Sequence, residues 1–325
     1  MPERWSAFDL AEAFQLSQAV NALHDSGLLA ALRKPAAAEE LAEKFGLDEA
    51  LLRGVLEYVA ARTDLLRKSG KKFAATREYE GASRFVLDLY VGAYGPNASR
   101  LKELLRDPSN APKAVDRVLH ARAFDAAEGP PLGILPELIR RLDLNHLLDL
   151  GCGNAALLAE LAQKDPAFVG WGLELNPSMR KVARSRLRAA SLGKRVRVLK
   201  GDCTQLGSAL PLDVAAAVRA VTACNVANEL FADGHARAVE WLRDLRKLLP
   251  KRPLLLVDYY GRLGQKKPDA SRETLLHDYA QLISGQGIPP SDAARWRAIY
   301  TRAGCRLLHI IEDQSTTRFI HILRL

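Results

Sequence analysis

The sequence predicts an α/β protein: an open, Rossmann-like sheet preceded by a smaller, mainly helical domain. Three observations predict it. First, the apolar run His146-Leu147-Leu148-Asp149-Leu150 ends in Gly151-Cys152-Gly153, and helix-forming residues start at once from Ala155. That is a strand, a tight glycine turn and a helix N-terminus, the repeated unit of a parallel sheet. Second, apolar runs and amphipathic segments alternate from there to the end of the chain. Third, residues 1–130 show helical periodicity with only two short strand-like runs. The sequence therefore divides into 1–130 and 131–325, with the boundary in the connector at Gly129-Pro130-Pro131.

In chain order, residues 8–33 read as one helix, with apolar positions at Phe8, Leu10, Phe14, Val20, Leu23 and Leu28-Leu29. A second helix spans 36–45 and breaks at Gly46; a third, 49–61, is capped by Asp48. Two short strands, 65–67 and 72–75, flank Ser69-Gly70-Lys71. Together these make a winged helix. Its third helix sets Asp48, Glu49 and Glu57 against a lone Arg53. A DNA-reading helix needs cations for phosphate, so packing against a twin subunit or over a site is the expected role. Further helices are expected at 99–105, 113–126 and 135–142. Tyr90, Tyr94, His120 and Phe124 fall on segments expected to roof a ligand and to line its co-substrate, with Arg117 and Arg122 nearby.

After the glycine turn, strands are expected at 168–175, 195–200, 213–223 and 253–259, with helices at 178–191, 234–249, 271–284 and 291–303. Residues 305–312 and 316–325, around a turn at Asp313-Gln314-Ser315, read as a closing β-hairpin.

Composition bounds the rest. The chain has 325 residues and a net charge of +9, much of it Arg and Lys spread over helix faces, which reads as a solvated basic surface and not as a nucleic-acid footprint. No apolar run approaches a membrane span, and the first residues lack a basic region followed by an apolar run, so neither membrane nor export is expected. The four cysteines (152, 203, 224 and 305) form no C-x-x-C pair; reduced thiols in a cytoplasmic protein, and no metal, are the expectation.

The charge before the glycines narrows the ligand. Gly151-x-Gly153-x-x-Ala156 fits a loose dinucleotide pattern, but Asp149 would repel a pyrophosphate and attract a cation. An adenosyl ligand with a sulfonium and an α-amino group suits it, and S-adenosylmethionine is that ligand. Glu174, 25 residues beyond Asp149, stands where an acid closes on a ribose diol. Asp202, after the third strand, is placed to accept the adenine amino group, with Cys203 on the ring.

With these acids in order on successive strands, the chain resembles the class I S-adenosylmethionine-dependent methyltransferases, a seven-stranded sheet closed by an antiparallel hairpin. The winged helix and the pattern Leu276-His277-Asp278-Tyr279-Ala280-Gln281-Leu282…Gly285…Trp296-Arg297-Ala298-Ile299…Ala303-Gly304 are similar to its small-molecule O-methyltransferase-like branch. The resemblance implies that Asp149, Gly151 and Gly153 cradle the methionine part, that Glu174 holds the ribose, that Asp202 and Cys203 flank the adenine, and that Asn225 runs beside the sulfonium. It also implies a homodimer. One departure matters: phenol-methylating members place a histidine base after the fourth strand, where this chain has Asn228, and an amide takes no proton near pH 7. His277 and Tyr259 are the other candidates at the reacting end, His277 having a packing role as its alternative. The expected function is methyl transfer to a small molecule without the usual base. The alternative is a cyclase, in which the cofactor's own amino group attacks its γ-carbon to give azetidine-2-carboxylate and methylthioadenosine.

Overall fold

The computed structural model describes residues 5–79, 83–126, 133–265, 271–313 and 317–325. The chain divides into two compact units, Met1–Gly95 and Pro96–Leu325. The Gly129-Pro130-Pro131 connector, where the sequence places the boundary, lies outside the described residues, as do Gln314 and Ser315 of the expected hairpin turn.

In the N-terminal unit, helix α1 (Ala7–Asp25) starts at a capping box in which Ser6 and Asp9 bond each other's backbone. The expected single helix to residue 33 stops here, because Gly27 takes a left-handed turn before one further turn at Leu28–Ala31. Ala36–Ala37, expected as helix, is instead a short strand β1 ahead of α2 (Ala38–Phe45). Helix α3 (Glu49–Arg62) is capped by Asp48, which accepts from the Leu51 amide. Strands β2 (Leu66–Ser69) and β3 (Lys72–Ala75) pair antiparallel, and β3 also pairs with β1, in the order β1-β3-β2. The cations around α3 are taken by acids: Arg53 pairs with Glu49, Lys68 with Glu57 and Arg62 with Glu12. Within this unit His24 is buried between the Tyr79 hydroxyl (2.8 Å) and Asp88 (2.9 Å), tying α1 to the π-type turns at Leu87–Ala93.

In the C-terminal unit, the helix expected at 113–126 is interrupted. Asp116 accepts from the Val118 and Leu119 amides and so restarts it as α4 (Arg117–Ala126). Then come α5 (Leu135–Arg141), β4 (His146–Leu150), α6 (Ala156–Lys164), β5 (Val169–Glu174), α7 (Pro177–Ala189) and β6 (Val196–Lys200). The strand expected at 213–223 is half helix. Pro211 precedes α8 (Leu212–Ala217), whose alanines favour helix, and only Ala220–Cys224 forms strand β7. Helix α9 (Ala236–Leu248), β8 (Pro253–Tyr259), α10 (Arg272–Ile283), α11 (Ala293–Ala303) and the hairpin β9 (Arg306–Glu312) and β10 (Arg318–Arg324) complete the fold.

The seven-stranded sheet runs β6-β5-β4-β7-β8-β10-β9, parallel except where β10 pairs antiparallel with β8 and β9. Its central strands are covered on both faces, so β8 reads as a continuous apolar run, Leu254-Leu255-Leu256-Val257, all fully buried. Each such side chain contributes about 1.5–3 kcal/mol of burial. The strand order reverses between β4 and β7, which puts a crevice at their C-terminal ends.

Candidate active site

The residues at that crevice are fixed by the strands they end. Gly151 and Gly153 both have left-handed φ (65° and 53°). A side-chain carbon at Gly151 would come within 2.9 Å of Val226. Gly172, on β5 beside the turn, is tighter still: a Cβ there would stand 2.4 Å from Cys152 Sγ. The glycine turn is therefore tightly packed: a Cβ at Gly153 would also press on Met179, at 3.3 Å.

Four carboxylates surround it. Asp149, 4% exposed, lies opposite Thr222 in the β4–β7 ladder and accepts its hydroxyl at 2.7 Å. Burial lifts its pKa to about 7, against the pull of the Thr222 hydrogen bond and with a further push from the Glu174 charge. Glu174 is locked by two backbone amides, Gly153 N–H (2.9 Å) and Asn176 N–H (2.7 Å), and burial raises its pKa too. Its oxygens keep lone pairs for ribose hydroxyls. Asp202 accepts the Thr204 amide and hydroxyl through Oδ1, and Oδ2 accepts no hydrogen bond among the described residues. Cys203 follows, its carbonyl held by Trp241 Nε1, its thiol pushed up by burial and by the charges of Glu229, Asp202 and Glu174.

Glu229 is the fourth. The sequence leaves it as a helix-start acid; in the structure it keeps solvent exposure, accepts Gln286 Nε2 at 3.0 Å, and feels the charges of Glu174 and Asp202. Desolvation by the surrounding protein pushes its pKa up, opposed by the Arg117 charge. Asp258, not anticipated at all, sits at the end of β8 with no exposed surface. It accepts the Asn228 and Tyr259 amides, both at 2.9 Å, and is likewise pushed up to about 7 by burial. An isolated aspartate near the end of an apolar strand carries no sequence pattern, which is why it was missed.

At the other end of the crevice, Asn225 takes left-handed φ (53°), a conformation asparagine tolerates, and its amide continues the ladder to Val257. Asn228 is 2% exposed, and its Oδ1 is buried without a hydrogen-bond partner among the described residues. The Tyr259 ring meets His277 edge-on with centroids 4.9 Å apart. His277 is held down to about 4, chiefly by burial and then by the Arg318 and His120 charges. His120 is also held down to about 4, by burial and by Arg117. The carbonyl of Arg117 accepts Asn176 Nδ2, which ties the start of α4 to the end of β5. Asn225, Asn228, Tyr259, His277 and His120 thus belong to one neighbourhood. Tyr90 and Tyr94 belong to the N-terminal unit, their rings 6.4 Å apart and Tyr94 buried; the Phe124 side chain lies outside the described residues. Arg318, unremarked in the sequence, enters from β10. A groove of about 310 Å³ bounded by Arg184, Arg188 and Arg197 includes none of these residues.

The set fits a cationic adenosyl ligand. Buried carboxylates near their midpoint at neutral pH, and an orphaned amide oxygen, are groups that a positive donor would satisfy. Among the described residues no cluster of His, Cys, Asp and Glu has the makings of a metal site, and no helix is long and apolar enough to cross a membrane.

Known proteins share the fold. Residues 147–249 match the family described as "Methyltransferase domain". A trans-aconitate 2-methyltransferase of Klebsiella pneumoniae (strain 342) is 26% identical over 208 residues, 62% of this chain and 70% of that protein. Among solved structures, the mitomycin 7-O-methyltransferase MmcR superposes with a TM-score of 0.73 at 19% identity, covering 97% of this chain and 96% of that one. The O-methyltransferase NcsB1 of neocarzinostatin biosynthesis, solved with S-adenosylmethionine and 2-hydroxy-5-methyl naphthoic acid, superposes with a TM-score of 0.66 at 18% identity, covering 94% and 95%. Residues 147–249 are thus a methyltransferase domain, with S-adenosylmethionine as its cofactor, and the chain as a whole shares the fold of O-methyltransferases that carry an N-terminal winged helix.

Proposed function

We propose that this enzyme transfers the methyl group of S-adenosylmethionine to a small-molecule acceptor whose nucleophile arrives electron-rich, so that no general base is needed. The observation that carries it is the row of acids at the ends of three adjacent strands, Asp149, Glu174 and Asp202, around the Gly151–Gly153 turn. When bound, the cofactor supplies a sulfonium methyl open to in-line displacement. Asp149 then faces positive charge, Glu174 accepts the ribose diol, and Asp202 Oδ2 accepts the adenine amine. Glu229 closes the adenosine side.

Base catalysis has poor support at the reacting end. Asn228 takes no proton, and a His277 held near 4 is a neutral imidazole that returns any proton it takes. Positioning and exclusion of water carry the reaction instead. One structural neighbour is a mitomycin 7-O-methyltransferase and one sequence relative a trans-aconitate 2-methyltransferase, so these likenesses leave the acceptor open.

The test has two parts. Calorimetry should show S-adenosylmethionine binding that weakens at least tenfold in Asp149→Asn, the scale of a lost charge-assisted hydrogen bond. Mass spectrometry of turnover mixtures should show adenosylhomocysteine. Methylthioadenosine formed from enzyme and cofactor alone would overturn transfer in favour of the intramolecular cyclase. We further propose a homodimer built on the N-terminal unit, where Phe8 (75% exposed), Phe14 (60%) and Leu51 (70%) lie bare. Light scattering should give twice the chain mass.

A further inference from the structure

The acidic half of the crevice ends at Asn225, and beyond it the charge changes sign. Arg318 opens β10 directly opposite Tyr259 of β8 in the antiparallel ladder, so the two side chains share a face of the sheet. Its Nη1 donates to Asn225 Oδ1 at 3.0 Å. The side chain is half-buried, and among the described residues it makes no ion pair. Asp258, on the neighbouring strand, feels the Arg318 charge, and its two oxygens are already engaged by backbone amides. Across the hairpin Arg318 is joined to Asp313 by a backbone hydrogen bond; on its other side the Tyr259 phenol stands opposite it, and the His277 imidazole feels its charge.

A guanidinium carries five donors in a planar fork that matches a carboxylate. One amide oxygen does not satisfy it. Loading the crevice with a sulfonium adds a second positive charge on the same side, which an anion between the two would offset. We propose that Arg318 is the anchor for a carboxylate at the methyl-receiving end, and that the acceptor is a small organic acid held by that group. This rests on the reading of the crevice as the S-adenosylmethionine site.

One other carboxylate has the same chemistry, that of the cofactor's own methionine tail. Position favours the acceptor. The cofactor acids end β6, β5 and β4, whereas β10 lies three strand spacings from β4, roughly 14 Å across the sheet.

The experiment uses the whole enzyme and Arg318→Gln, with Arg318→Lys as a second variant. Calorimetry measures methylthioadenosine, which has no carboxylate; then adenosylhomocysteine; then trans-aconitate and 2-hydroxybenzoate added to the adenosylhomocysteine complex. The expected result is unchanged methylthioadenosine and adenosylhomocysteine affinity in both variants. At least one acid should bind the wild type, tenfold or more weakly to Arg318→Gln, with partial recovery in Arg318→Lys. Equal acid affinity in wild type and Arg318→Gln, or no acid binding to the wild-type complex, overturns the proposal. Loss of adenosylhomocysteine but not methylthioadenosine assigns Arg318 to the cofactor tail and overturns the acceptor anchor. If the wild type binds neither nucleoside, the cofactor reading itself has failed, and the anchor falls with it. Because methylthioadenosine never touches the substituted position, its retention also shows that the variants fold.

Discussion

Asp149 is an acid whose charge depends on its company. Buried and bonded only to a hydroxyl, it titrates near 7; beside a cation it stays ionised to lower pH. The sign follows from linkage. Without ligand, the native state holds a proton that the unfolded chain has released between about pH 4 and 7, so this group makes stability fall as pH rises through that window. Cofactor binding needs the ionised form, so affinity should rise with pH, about tenfold between pH 6 and 8, and level off above it. Calorimetry across that range checks it, and Asp149→Asn should flatten most of the dependence. Binding at pH 7 should also release protons, seen as a heat that varies with the ionisation enthalpy of the buffer. The charge argument read from the sequence points to this residue as the one that faces a cation. It did not anticipate that the residue is half-neutral when alone, because burial is a property of the fold and not of the letters.

At the scale of elements, the glycine turn depends on a neighbour that the motif does not contain. Gly172 leaves room for Cys152, and Gly172→Ala should cost about 1–3 kcal/mol of stability by overpacking while weakening cofactor binding through displacement of the turn. Chemical denaturation and calorimetry on the same variant would separate the two effects. Gly151→Ala combines a φ of 65° with a clash on Val226 and should be at least as damaging. Strand–turn–helix units were legible because their period is local and their glycines are required by geometry. Where the reading failed, a competing local signal won. Gly27 cut the first helix, Ala36–Ala37 joined β3 because a strand edge was there to pair with, and the Ala-rich run after Pro211 turned helical ahead of β7. Asp258, Arg318 and Thr222 belong to the same lesson. Each acts through a partner 30 to 93 residues away in sequence, and single-residue chemistry carries no trace of that pairing.

Across the whole molecule, both units leave large apolar side chains at the surface, Leu105 and Leu212 of the sheet unit among them. Helix α1 adds two phenylalanines, Phe8 and Phe14, and a monomer rarely keeps a large apolar patch uncovered. Phe14→Glu should therefore shift the light-scattering mass to that of one chain without altering cofactor affinity; an unchanged mass would show that α1 is not the seam. A second feature of the whole is where the antiparallel hairpin enters. Its strand β10 carries Arg318 at one end, and His321 three residues on is wedged between the hydroxyls of Tyr300 and Tyr260, stacked on Phe319 at 3.8 Å. The parallel strands β4–β7 hold nothing of that wedge. On the proposal made for Arg318, donor and recipient are thus governed by separate stretches of chain, one ending at β7 and one beginning with α10. Mutations in the last fifty residues can retune which acid is chosen while the strands up to β7 keep their grip on adenosine, which is the arrangement a lineage needs if it is to change its product without relearning its chemistry.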